Sequence, residues 1–416
     1  MRVRTATDTP LFSFHFFLLF SIMESLSNII GNKTVGIVGV GKWGTHLVQT
    51  LTPHSPHPIL QSDPARAAVE QNFPHVPLIE LTERADILIL STPLDTIVGI
   101  LLEIRDKIRQ GQIILDIASS KRGFADLLKE INKEGRAIVG SIHPMTGAPP
   151  NPPSLRGQNG IICQISDQSN EAELIGEAFF SSQGMTIQRM RIEEHDRLMD
   201  LIQGKPHFFQ VAACVAMGDG LKDGRPVDDL ERLGSPNSEL FMLSVGRGAI
   251  LDADLQANLI TSMVASSEGV SDIERIIASM QKILSIAKQD ATRPTSEREL
   301  STFITKARSK LDPDKKWRER MKDKTNTIIV RLGNIRKKSL HLTARADRIG
   351  LLEEICAVLR HHGIDLNAID SLPSKSFPNG MEFELGHKDT ILVNIPQLIK
   401  DLDHIDVLLA VANTKK

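Results

Sequence analysis

The chain has 416 residues, with 49 Lys and Arg against 51 Asp and Glu. That balance offers no electrostatic foothold to nucleic acid or to an anionic membrane, so neither is expected as a partner. The length exceeds what one compact core can organise and calls for two or three domains.

Residues 1–32 read as an N-terminal extension. Within it, Pro10 to Met23 (PLFSFHFFLLFSIM) forms an apolar run behind Arg2 and Arg4. The run is short for a membrane span and lacks a small-x-small cleavage site. A signal anchor is one reading. The favoured one is an over-extended reading frame whose true start is Met23, and a cytoplasmic location is expected. Three widely spaced cysteines (Cys163, Cys214, Cys356) show no metal-ligand spacing. They fit packing residues of a reducing compartment, and no metal site is expected.

Strand and helix patterns alternate over residues 33–191, with candidate strands at Thr34–Val38, Pro58–Gln61, Ile87–Ser91, Gln112–Asp116, Ala137–Gly140 and Gly160–Gln164. This predicts an α/β domain, a doubly wound parallel sheet with helices on both faces. Residues 192–330 turn helical, with amphipathic stretches at Glu193–Met217, Ser238–Arg247, Asp252–Ser266, Ser271–Ala287 and Ser296–Asp323. Over 338–412 the order becomes βαββαβ, a small two-layer sandwich with its own core.

Gly39-Val40-Gly41-Lys42-Trp43-Gly44 satisfies GxGxxG directly behind the first apolar strand. Gly39 permits a tight turn, Gly41 lets backbone approach a pyrophosphate, and Gly44 allows close helix-to-strand packing. Lys42 and Trp43 open the next helix, whose amides face the phosphates. Asp63 follows about twenty residues later, where ribose recognition places an acid. Its carboxylate would accept from both ribose hydroxyls and repel a 2′-phosphate, favouring NAD, while nearby Arg66 keeps NADP possible. Ser91, Thr92 and Pro93 end the strand Ile87–Ser91, and Asp116 to Lys121 follow the next, so both line one crevice.

Ser141-Ile142-His143-Pro144-Met145-Thr146-Gly147 follows the strand Ala137–Gly140. A histidine at the carboxyl end of a sheet strand lies where such folds set a reacting carbon beside a nicotinamide. Imidazole is suited to take a hydroxyl proton as hydride leaves, so an oxidoreductase is expected. Ser119 is placed to hydrogen-bond His143 or the nicotinamide, or to cap the following helix. His195, Met199, Gln203 and His207 recur every four residues on one helix face, with Pro206 bending that helix.

These segments resemble prephenate dehydrogenases from Thr34 to about Ser267. The match runs through GIVGVGKWG, ILDIASSKRG, IVGSIHPMTG, EEHDRLMDLIQGKPHFF and SPNSELFMLSVGR, all in family order. The resemblance implies a Rossmann domain, then an all-α domain through which two subunits dimerise. It also implies NAD-dependent oxidative decarboxylation of prephenate to 4-hydroxyphenylpyruvate, a step of tyrosine biosynthesis. His143 would then be the base, oriented by Ser119. His207 would act in the substrate pocket, with Gln203 as a further pocket residue. Where the nearest relatives carry an arginine for a substrate carboxylate, this chain has Glu239. Two carboxylates at about 6 Å and an effective dielectric near 20 repel by roughly 3 kcal/mol, about a hundredfold in affinity. Either Arg247 takes the carboxylate, or the substrate carries an amine, as in arogenate or 4-amino-4-deoxyprephenate. A catalytically inactive NAD and amino-acid sensor, and a hydroxyacid or imine reductase, are the competing classes.

The C-terminal segment resembles an ACT regulatory domain through Asp347-Arg348-Ile349-Gly350-Leu351-Leu352 and Asn367-Ala368-Ile369-Asp370-Ser371-Leu372-Pro373. That resemblance implies a tyrosine or phenylalanine effector held by Gly350, Leu351, Asn367, Asp370 and Ser371. The alternative is a sandwich used only for dimer contacts.

Overall fold

The computed structural model describes residues 26–410 except 151, 153, 166–169, 221–233, 295, 296, 314, 323, 326, 327, 329–338, 375, 378 and 388–393. The apolar run Pro10–Met23, the question of Met23 as the start, and the side chains of Asn367 and Asp370 lie outside the described residues. Among the described residues no helix is long and apolar enough to cross a membrane. The chain divides into two compact units, Met1–Phe209 with Leu251–Glu274, and Gln210–Ile250 with Arg275–Lys416. The first unit thus takes in residues 192–209 and 251–274, which the sequence pattern groups with the helical domain.

The first unit is built on a seven-stranded sheet of order β2-β1-β3-β4-β5-β6-β7. The strands are β1 (Val35–Val38), β2 (Leu60–Ser62), β3 (Ile87–Leu90), β4 (Gln112–Asp116), β5 (Ala137–Pro144), β6 (Asn159–Gln164) and β7 (Thr186–Arg191). β1 and β3, VGIV and ILIL, are buried at every residue. Unbroken apolar runs of that kind mark strands covered on both faces. The covering helices are α1 (Lys42–Leu51), α2 (Leu78–Arg84), α3 (Ile97–Ile104), α4 (Ala125–Lys133) and α5 (Glu171–Ser182). One core gathers Leu26, Ile37, Leu47, Phe179 and Phe180. Another gathers Leu88, Leu101, Phe124 and Leu128.

Three points correct the expected sheet. β1 to β5 are parallel, but β6 pairs antiparallel to β5, so the sheet is mixed. The described residues between Pro144 and Asn159 contain no helix, and an antiparallel neighbour needs no helical crossover. β7 is an additional strand, parallel to β6. Its sequence TIQRMR is mostly exposed, so it carries no buried apolar run. β2 begins at Leu60 and extends to Ser62, leaving Asp63 as the cap of a short helical turn.

The helical segments are α6 (Ile192–Met199), a π-turn over Asp200–Gly204, α7 (Lys205–Gly220), α8 (Pro236–Ile250), α9 (Ala253–Val264), α10 (Ser267–Asp290) and α11 (Leu300–Leu311). The bend expected at Pro206 is absorbed differently. Proline offers no N–H and crowds the carbonyl four residues back, and the chain widens into a π-turn just ahead of it. The Lys205 N–H then reaches Asp200 O, five residues back. The expected helix Ser296–Asp323 is interrupted: α11 ends at Leu311, where Asp312 leaves helical geometry at φ −146°, and residues 316–322 are helical again.

In the second unit, β8 (Ser339–Ala344), α12 (Leu351–His361), β9 (Leu366–Pro373), β10 (Met381–His387), α13 (Ile395–Asp403) and β11 (Val407–Ala410) follow the expected βαββαβ order. The four strands form an antiparallel sheet of order β11-β8-β10-β9. Leu342, Ile355, Leu359, Phe383, Leu398 and Leu402 pack between the sheet and its two helices.

Gly160 faces Pro144 in the β5–β6 register. A Cβ there would meet the buried Phe180 ring at 2.6 Å. Gly160→Val is therefore expected to destabilise the protein by roughly 1–3 kcal/mol through overpacking, measured as a lowered urea midpoint with unchanged m value.

Candidate active site

The glycine turn has the geometry a phosphate cradle requires. Gly39 sits at φ +84°, and a Cβ on it would strike Ser91 O at 2.6 Å. A Cβ on Gly44 would lie 2.0 Å from Gly39 O, so only glycine lets α1 start this close to β1. Around Gly41 the space is open. Gly41 caps α1 without a side-chain hydrogen bond, which leaves the first-turn amides of Lys42 and Trp43 without a side-chain acceptor there. The hydroxyls of Ser62, Ser91 and Thr92, at the carboxyl ends of β2 and β3, are buried with no hydrogen-bond partner among the described residues. Open space at Gly41, before a helix start with no side-chain cap, rimmed by those buried hydroxyls, fits a bound dinucleotide.

Asp63 already holds this turn in shape. Its Oδ2 accepts from Val40 N at 2.8 Å and its Oδ1 from Arg66 N at 3.0 Å. Arg66 is paired with Glu70 at 2.7 Å, lies over the Phe73 ring at 4.7 Å, and reaches Val40 O at 3.4 Å.

His143 lies near the carboxyl end of β5 and is 2% exposed. Its Nδ1 stands 2.9 Å from His195 Nε2, and its Nε2 stands 3.3 Å from Gln203 Nε2. His195 Nδ1 in turn lies 2.9 Å from Asp196 Oδ1. Burial, then the nearby His195 and Lys121, hold His143 well below the ordinary imidazole pKa. Burial also lowers His195, against the opposing pull of Asp196. Both rings are therefore neutral near pH 7.

Ser119 is half-buried after β4. The ring nitrogens of His143 are engaged by His195 and Gln203, not by Ser119. His195 belongs to the helical stripe visible in the sequence, but its contact with His143 was not legible there, because the two lie 52 residues apart. His207 follows Gln203 by four residues on α7 and is half-buried. Arg247 is exposed and Glu239 half-buried, both on α8 in the second unit. Gly350 adopts φ +87° at the start of α12, Leu351 is buried, and Ser371 is exposed on β9.

Sequence reasoning set Lys121 along the crevice but missed what it does there, and it missed Asp196 altogether. Lys121 is fully buried, and its Nζ donates to Asp116 Oδ1 at 2.6 Å, Ala118 O at 2.6 Å and Ile142 O at 2.8 Å. Its backbone N–H donates to Asp196 Oδ1 at 2.9 Å. An ammonium has three donors, and all three are satisfied. Beside it Arg122 grips Asp200 with both terminal nitrogens, at 3.0 and 2.9 Å, and donates to Ser262 O at 2.6 Å.

Residues 60–172 match the family model described as the prephenate dehydrogenase nucleotide-binding domain. Those residues are similar to that nucleotide-binding domain, and the match does not extend over the rest of the chain. The chain is 29% identical over 185 residues to a probable arogenate/prephenate dehydrogenase of Methanocaldococcus jannaschii, covering 43% of this chain and 40% of that one. It is 26% identical over 245 residues to the T-protein of Haemophilus influenzae, covering 59% of each. The chain thus spans about half the length of these curated relatives. Among solved structures it is similar to the prephenate dehydrogenase of Aquifex aeolicus, with TM-score 0.48 and 18% identity over 66% of this chain and 98% of that one. The arogenate dehydrogenase of Synechocystis gives TM-score 0.47 and 18% identity over 67% of this chain and 99% of that one.

Removing one partner of a buried ion pair leaves the other charge uncompensated, at a cost of about 3–5 kcal/mol. Lys121→Met is expected to lower stability by that amount, read from the urea midpoint. The double variant Lys121→Met/Asp116→Leu is expected to recover much of the loss.

Proposed function

We propose that this chain is an NAD-dependent dehydrogenase that oxidatively decarboxylates prephenate to 4-hydroxyphenylpyruvate. The observation that carries this reading is a buried, neutral imidazole, His143, on the same sheet edge as an open glycine cradle. A nicotinamide dinucleotide bound in that cradle would supply the hydride acceptor. His143 Nε2 then takes the proton of the ring hydroxyl as that carbon is oxidised. Loss of the ring carboxylate as carbon dioxide leaves an aromatic ring, which makes the step irreversible. Gly39, Gly41, Lys42, Trp43 and Gly44 would hold the pyrophosphate, Asp63 the ribose, and Ser91, Thr92 and Pro93 the edge of the crevice. Asp63 at the end of β2 supports NAD over NADP, although Arg66 is close by.

His207 and Gln203 would face the substrate, with Ser119 beside the nicotinamide and Arg247 taking a carboxylate. Glu239 on α8 favours a second reading, in which the substrate carries an amine, as arogenate does. We further propose a homodimer formed through the helical segments and an ACT-like role for the C-terminal sandwich. In that role the Gly350–Leu351 turn, with Asn367, Asp370 and Ser371, would receive a tyrosine or phenylalanine effector.

Steady-state kinetics with prephenate, arogenate and 4-amino-4-deoxyprephenate, following carbon dioxide and NADH together, tests the reaction. Turnover of none of the three overturns it. His143→Asn is expected to leave NAD binding intact and lower turnover by roughly 10²- to 10⁴-fold, the contribution of a general base. Protonated His143 accepts nothing, so activity fails on the acid side. Because its pKa lies well below the ordinary value, kcat/KM is expected to stay level from pH 8 down to about 6.5 and to fall only below that.

A further inference from the structure

A neutral imidazole is a base at only one of its nitrogens, so the position of its ring hydrogen decides whether it works. In this protein that position follows from the atoms around it. The Asp196 carboxylate accepts hydrogen bonds and donates none, and its Oδ1 lies 2.9 Å from His195 Nδ1. The hydrogen of His195 is therefore on Nδ1, and its Nε2 carries a lone pair. That lone pair faces His143 Nδ1 at 2.9 Å, so the hydrogen of His143 is on Nδ1 and its own Nε2 is bare. The bare nitrogen meets the Gln203 amide nitrogen at 3.3 Å, which donates to it. Any other arrangement of neutral rings sets two lone pairs or two hydrogens against each other.

We propose that His195 is a positioning residue, locked by Asp196 as its Nδ1–H tautomer, that fixes His143 with its basic lone pair on Nε2. The inference rests on the dehydrogenase reading for what that lone pair does, but not for where it is. His195 is fully buried, and its ring stands at 75° to that of His143 with centroids 5.1 Å apart, so it also fixes the ring plane. Asp196 Oδ1 is held by Lys121 N at 2.9 Å, which ties the relay to the loop after β4. The charged groups facing the two rings are Lys121, Asp116 and Asp196. Arg122 adds to Asp196 from the side and is itself paired with Asp200.

No proton needs to travel along this relay. The substrate hydroxyl proton moves to His143 Nε2, while the Nδ1 hydrogen stays bonded to His195. The C–H electron pair leaves as hydride, and the electrons of the broken C–CO2 bond complete the aromatic ring. The proton on Nε2 returns to the phenolate oxygen. The product keeps its hydroxyl hydrogen, and the buried ring needs no exit to water.

Two measurements test the proposal. In the full, unliganded chain with ¹⁵N-labelled histidine, assigned through His143→Asn and His195→Gln, both rings are expected as Nδ1–H tautomers with bare Nε2. A hydrogen on Nε2 of His143 overturns the proposal whatever the enzyme's activity. In kinetics, His195→Ala is expected to lower kcat/KM at least about tenfold, and by no more than the roughly 10²- to 10⁴-fold that a general base contributes. It should also move the acid limb up toward the ordinary imidazole value, as water reaches His143. His195→Gln sets an amide oxygen near the former Nε2 and is expected to restore most of both. Calorimetric titration with NAD+ should be unchanged in either variant. Wild-type kcat/KM and acid limb in His195→Ala, with His143→Asn inactive, would overturn the inference and leave the function standing. Absence of turnover in the wild type on all three substrates would overturn the function, while the tautomer measurement still decides the inference.

Discussion

The buried ammonium of Lys121 is the constraint on which the site depends. A charge taken out of water costs several kcal/mol unless it is paired and hydrogen-bonded, and Lys121 meets that condition by drawing in Asp116, Ala118 O and Ile142 O. Those acceptors come from the end of β4, the loop after it, and the residue just before His143 on β5. Satisfying one cation therefore fixes the carboxyl ends of two neighbouring strands. Burial first, then His195 and this same charge, disfavour a proton on His143, so the group that places the base also helps to keep it neutral.

The second wall of the site is helical. Arg122 binds Asp200 and Ser262 O, Ser120 Oγ meets Ser262 Oγ at 2.7 Å, and Gly204 lies so near Met263 that a Cβ would meet Sδ at 2.7 Å. The π-turn explains how one helix delivers two contacts to one imidazole. In a helix of 3.6 residues per turn each step of four drifts by about 40°, so Gln203 would stand about 80° away from His195. The wider turn over Asp200–Gly204 takes up that drift, and His195 and Gln203 reach opposite nitrogens of His143. π-turns are frequent at functional sites, and here the phase correction gives the reason.

What the sequence disclosed follows from what leaves a local trace. Strands buried on both faces read as apolar runs, and the βαββαβ sandwich alternates cleanly, so both were legible to within a residue or two, except that β5 runs on to Pro144, four residues past the expected Gly140, and takes His143 into the strand. The glycine turn was legible because each glycine answers a local steric demand. The antiparallel turn of β6 left no trace, since strand direction is set by the connection rather than by the strand. β7 was hidden because an exposed edge such as TIQRMR looks like a loop. The role of Lys121 was hidden because its partners are mostly backbone carbonyls, which no side-chain pattern records. The His143–His195 contact joins β5 to α6 across 52 residues, and only the packed fold brings them together. Pro206 announced a disturbance in the helix but not its kind.

The bonds of the relay are unequal, and the inequality has a direction. His143 to His195 and His195 to Asp196 are both 2.9 Å and buried, whereas Gln203 meets His143 at 3.3 Å from a half-buried side chain. The weakest link is thus the one that covers the basic nitrogen. Gln203 Oε1 is buried without a partner among the described residues, so this amide is only half satisfied where it sits. A ligand hydroxyl entering at Nε2 offers a shorter O–H···N bond than the amide makes and frees Gln203 to turn its unsatisfied oxygen toward a donor on the ligand. The side of the ring that must stay fixed is held by short, enclosed bonds, and the side that must open is covered by a group with something to gain by moving.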